Sequence, residues 1–216
     1  MGFSERIVLG VMSVLLWSSA AGAQPEDSRD IVVRMQDDTG MAMSLLNRAE
    51  ADTASVLHAT GIEATWINCP KGGGPWACRQ VLHSNEFILH IVPTGKTRND
   101  RVFGEAFLGE GGSGKYADIF FQRIAMAEGE AGVDLSRLLG AVCAHELGHL
   151  LLGSQSHSTT GIMQPIWQRD SLHRIGMGLL LFTGQQSRTM KARLGRESFV
   201  LSSMRVPNRS MVDGLF

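Results

Sequence analysis

The chain carries His145-Glu146-Leu147-Gly148-His149, runs on through Leu150, Leu151 and Leu152 to Gly153, and then reaches His157 and Gly161-Ile162-Met163. On an α-helix, positions i and i+4 lie about 40° apart around the axis. His145 and His149 would then leave one face side by side, placed to hold a single metal ion. Glu146, one step on from the first His, would stand near that ion without having to ligate it. Imidazoles suit zinc, and zinc held by three protein ligands keeps a fourth position for a water whose proton a neighbouring carboxylate can take. His145 and His149 are therefore candidate Zn2+ ligands and Glu146 the candidate general base. Residues further along that can complete the zinc are His157, Asp170 and Glu197.

The spacing needs a rigid helix, and the surrounding sequence predicts one over 135–152. Asp134 is a good N-cap. Leu135, Leu138, Leu139, Val142, Cys143, Leu147, Leu150 and Leu151 recur at intervals of three and four, and Gly153 suits the left-handed residue that ends a helix. Apolar turns precede His145, so the ligands belong to the second half of a buried helix.

The run His-Glu-Leu-Gly-His with Gly153, His157, Ser158 and Met163 resembles the zinc signature of the metzincin metalloproteases, above all its matrixin branch. The resemblance implies an α+β zincin fold: a mixed twisted sheet with an antiparallel edge strand, an active-site helix, a Met-containing turn beneath the metal and a C-terminal helix. It also makes His157 the third ligand and Met163 the residue of the Met-turn. The family places two residues between the second His and the Gly, and two more before the third His; here three fill each gap. One extra helical residue turns the helix exit by about 100°, so the loop after Gly153 must bring His157 back by a different path.

The implied activity is that of a zinc-dependent endopeptidase acting on protein or peptide substrates. One alternative is a gluzincin-type site completed by a downstream acid, of which Glu197 is the sole downstream Glu. The other is a zinc-stabilised binding module in which Glu146 does no chemistry. An acid beside two His ligands speaks against that module, because a structural zinc site closes on four ligands and needs no base.

Before this region, Arg6, the apolar run Ile7–Trp17 and the small residues Ala21-Gly22-Ala23 predict a secretory signal peptide over 1–23, cleaved before Gln24. The apolar run is too short to span a bilayer as a helix. The expectation is a secreted or periplasmic protein, free of the membrane after cleavage, with residues 24–216 forming one catalytic domain and acting as a monomer. A net charge of −1 argues against nucleic acid as an obligate partner. The cations from Arg169 to Arg209 read as a solvated basic face. Cys69 and Cys78 bracket a Gly- and Pro-rich loop and are expected to pair in an oxidising compartment, while Cys143 reads as a buried thiol.

Strands are expected at Ile31–Gln36, Ile62–Asn68 and Glu86–Val92, with a helix at Met41–Ala59 and another from Thr183 as N-cap to about Leu194. Val102–Leu108 and Tyr116–Ile124 are similar to the family's edge strand and its neighbour, the edge being where an extended peptide would pair. Ser202–Val206 is a candidate further strand, and Pro165-Ile166-Trp167 is expected to continue the core. Gly109–Lys115 matches phosphate-loop spacing, but Tyr116 follows where Mg2+ coordination needs Ser or Thr, so it reads as a flexible hairpin loop, expected to overhang the cleft. His58, His83, His90 and His173 lack motif partners and read as structural or solvated.

Overall fold

A computed structural model describes residues 29–72, 74–95 and 101–204. The expected signal peptide, 1–23, and the chain beyond 204 lie outside them. Five strands, β1 (Asp30–Asp37), β2 (Glu63–Pro70), β3 (Glu86–Val92), β4 (Gly104–Phe107) and β5 (Tyr116–Phe120), form one sheet in the order β2-β1-β3-β5-β4. β4, at the edge, runs antiparallel to β5, and all other pairs are parallel. The helices are α1 (Met43–His58), α2 (Phe121–Ala131), α3 (Leu135–Leu152), α4 (Arg169–Gly176) and α5 (Gly184–Met204). This is a mixed α/β fold. Among the described residues no helix is long and apolar enough to cross a membrane.

Alternation along the strands decides which face is covered. The register sets Val33 beside Phe87 and Met35 beside Leu89, and carries Leu89 on to Ala117 and Ile91 to Ile119. These side chains are buried in one core with Leu46, Leu57, Leu138, Leu139, Leu147 and Leu151 of α1 and α3. Each large aliphatic group buried this way stabilises the fold by about 1.5–3 kcal/mol. The opposite face bears Arg34, over which the 74–85 segment folds. Arg34 donates to Gln80 O at 2.6 Å and pairs with the Glu86 carboxylate. The expected Cys69–Cys78 disulfide closes this loop, and Cys143 is a free buried thiol. His90 lies on the same face between Asp38 and Asp118.

α3 matches its predicted bounds. The Asp134 carboxylate accepts from Ser136 N at 2.9 Å, and Gly153 ends the helix in the left-handed conformation at φ 62°. α1 crosses it closely at Gly140, where a Cβ would sit 2.8 Å from Ala49 O and from Asp52 Cβ. Thr53 Oγ1 donates to Gly140 O across the contact. α1 thus fixes α3 from behind.

Three expectations change. Tyr116–Ile124 is not one strand: it ends at Phe120 and α2 begins at Phe121, because Ile119, Phe120 and Ile124 can be buried by either geometry. Arg169–Gly176, for which the sequence set no expectation, is the short helix α4. Ser202–Met204 is helical, not strand, since α5 meets no proline before Pro207. Of Pro165-Ile166-Trp167, Trp167 packs against the core as expected, whereas Ile166 is 49% exposed and does not continue it. The N-terminus of α5 is as expected: Gln186 N donates to Thr183 Oγ1, and Thr183 N to Gln186 Oε1, a reciprocal cap.

Candidate metal centre

The helical spacing places the His145 and His149 rings 4.8 Å apart, centroid to centroid, with their Nε2 atoms separated by 3.1 Å. His157 returns from the loop after Gly153, its ring 5.3 Å from His145 and 4.9 Å from His149. One ligand atom from each of the three lies within 4.8 Å of the others. Among the described residues no other three His, Cys, Asp or Glu converge in this way. Asp170 is exposed on α4, outside the cluster. Glu197 falls on the last turns of α5, where side chains are not described. Cys69, in its disulfide, has no thiolate to offer a metal.

Backbone carbonyls fix the tautomers. His145 Nδ1 lies 2.8 Å from Ile162 O, and His149 Nδ1 2.8 Å from Ser154 O. A carbonyl oxygen only accepts, so each Nδ1 carries the proton and each Nε2 presents a lone pair. Burial pushes the His145 imidazolium down to about 3, against the Ile162 hydrogen bond, with His149 and His157 adding repulsion. Burial also lowers His149 and His157. Each shift favours the neutral imidazole, the ligating form. Three imidazoles converging on one point fit zinc, whose tetrahedral bonds of 2.0–2.1 Å set ligand nitrogens about 3.3 Å apart.

Ile162 O also accepts from Trp167 Nε1 at 3.1 Å, and the Trp167 ring stands edge-on to His145 at 5.8 Å. Met163 is fully buried beneath the helix: a Cβ at Gly148 would lie 2.5 Å from its Sδ. The turn carrying both is held by Ser158 N donating to Met163 O and Ile162 N to Leu181 O. Trp167 was not a candidate from sequence, where nothing ties it to His145.

Glu146 is buried beside the cluster. Burial raises its carboxyl to about 8, the Glu105 charge adds to this, and a hydrogen bond from the Ala106 backbone N–H opposes it. A cation bound alongside would favour the carboxylate. Glu146 packs against Gly104, so the edge strand and α3 form the two walls of a cleft. The cavity, about 520 Å³, is lined by all three histidines and Glu146, together with the apolar side chains of Phe103, Leu138, Val142, Trp167 and Leu172. The glycine-rich loop does not reach over this cleft. Its Gly112 packs on the Gly153 carbonyl at the end of α3, and Arg193 of α5 donates to Gly112 O.

No protein-family model matches this chain, and no curated protein matches it. Among solved structures it is similar to archaemetzincin from Methanopyrus kandleri, at 16% identity over 77% of this chain and 96% of that one, with a TM-score of 0.48. It is also similar to a zinc-dependent peptidase from Methanocorpusculum labreanum, at 18% identity over 73% of this chain and 99% of that one, with a TM-score of 0.51. The second likeness is one of fold: the chain shares that structure's mixed α/β architecture.

Proposed function

We propose that this protein is a zinc-dependent endopeptidase of metzincin type, with His145, His149 and His157 as zinc ligands and Glu146 as general base. The observation that carries the reading is the convergence of three imidazoles next to one buried carboxylate in a shared cleft. Zinc at this site would supply a Lewis acid for the scissile carbonyl and lower the pKa of a bound water. Glu146 would take that water's proton and return it to the leaving amine. The edge strand β4 would hold an extended peptide by main-chain hydrogen bonds, with one side chain against the apolar lining of the cleft. Met163 under Gly148 supports the reading of 161–163 as a Met-turn. Residues 1–23 act as the secretory signal in this reading, and the Cys69–Cys78 disulfide suits an oxidising destination.

The test is turnover of a denatured protein by zinc-loaded enzyme, its loss with a chelator and its return with zinc. Glu146→Gln should keep zinc and lose at least about 10²–10⁴-fold in kcat. Near-wild-type turnover by that variant, or none by the zinc-loaded wild type, refutes the proposal.

A further inference from the structure

The inner half of the β4 edge is already engaged. Antiparallel strands alternate residues that bond their partner with residues whose main-chain groups face away. Phe120 N donates to Phe103 O, and the same register pairs Glu105 with Asp118. Phe103, Glu105 and Phe107 therefore bond to β5, and Gly104 and Ala106 turn their N–H and C=O toward the cleft. Both of Ala106's groups have partners. Its N–H donates to the Glu146 carboxylate, and its carbonyl accepts from Gln155 Nε2 at 2.6 Å. Gln155 reaches it from the loop between Gly153 and His157, across 49 residues of sequence.

We propose that Gln155 is a displaceable latch on the substrate-binding edge, its side-chain amide standing in for a peptide N–H at Ala106 O until an extended peptide takes its place. This rests on the reading of the cleft as a peptide site. The base of Gln155 is fixed: Gly153 caps α3 with Arg193 packed against it, Ser156 N donates to Ser154 Oγ, and His157 enters the metal cluster two residues on. Its side chain is exposed, so swinging it out forfeits little buried surface. A peptide strand pairing with Ala106 would bring its N–H to the same carbonyl, on the side of the strand from which the Gln155 amide now donates. Binding therefore exchanges one hydrogen bond for another, and part of the peptide's affinity goes into opening the latch. Gln155 acts as a positioning residue and touches no reacting atom.

Gln155→Ala and the near-isosteric Gln155→Met remove the donor. Each should lower KM for an extended peptide about threefold to tenfold, the worth of one net hydrogen bond, with kcat within about twofold of wild type and zinc stoichiometry unchanged. Anisotropy of fluorescein-labelled tryptic peptides of casein, with zinc present, should show the same tightening in Kd, and this readout needs no cleavage. Absence of hydrolysis with tightening still present would refute the peptidase reading alone. Unchanged or weakened Kd in both variants would overturn the latch, weakening meaning that Gln155 is itself a substrate contact. No peptide binding by any of the proteins would overturn it too, since nothing would displace the amide.

Discussion

A Cβ on Gly104 would lie 2.7 Å from both Cγ and Oε1 of Glu146. The buried acid of α3 therefore occupies the space that any side chain on the edge strand would claim. Asp118 O, 2.9 Å from the same point, blocks relief on the other side.

Gly104→Ala should accordingly displace the Glu146 carboxylate while leaving the three histidines in place. The expected loss is about 10–100-fold in kcat, the scale of an ångström's misplacement of a reacting group, with zinc bound at wild-type stoichiometry. Steady-state kinetics alongside metal analysis checks this. Wild-type kcat in the variant would show that Glu146 tolerates the shift or takes no part.

The third ligand separates the two zincin architectures. His157→Ala should weaken zinc by on the order of a hundredfold or more, because only two imidazoles remain. Asp170→Ala, on exposed α4, should retain it, and so should Glu197→Ala. Dialysis against a weak chelator followed by metal analysis decides: zinc kept by His157→Ala and lost by Glu197→Ala would make the site gluzincin-like.

Glu50, on α1, is buried with Oε1 lacking a hydrogen-bond partner; burial raises its carboxyl to about 7, against a hydrogen bond from Asn68. The folded value lies above the unfolded one, so the folded state binds this proton more tightly. Its contribution is present at acid pH and is lost as pH rises through about 7. Glu50→Gln, which cannot ionise, should match wild type at pH 5 and exceed it at pH 8 by roughly 1–3 kcal/mol. Denaturant melts at the two pH values test this, and an advantage of equal size at both would contradict it.

Cys143 lies wholly inside the core, where burial first, and then the Glu146 and Glu50 charges, push its thiol up. Iodoacetamide at pH 8 should therefore modify the native protein at least about 10²-fold more slowly than the unfolded chain. Mass spectrometry should count one adduct after unfolding without reductant and three after reduction. Rapid labelling of the folded protein would mean that α3 opens readily.

Local sequence was enough to determine α3, because its evidence lies within a few residues: the Asp134 cap, leucines at helical intervals, and Gly153 as the left-handed stop. The pairing of His145 with His149 follows from that helix alone, as does the position of Glu146 next to them. The strands β1, β2 and β3 were legible for the same reason, their alternation being a property of neighbouring residues. The Cys69–Cys78 link was legible because the two residues flank one short loop. Tertiary structure decided the rest. A run such as Tyr116–Ile124 is compatible with strand or helix, and only its meeting with β3 and then α3 divides it at Phe121. His157 joins the cluster through a turn held by Leu181 and Met163, and Gln155 finds Ala106 only because the sheet order brings β4 alongside α3. The space that Gly104 leaves for Glu146 is likewise a contact between elements distant in sequence. Such contacts depend on how the sheet and helices stack, and local periodicity carries no record of that.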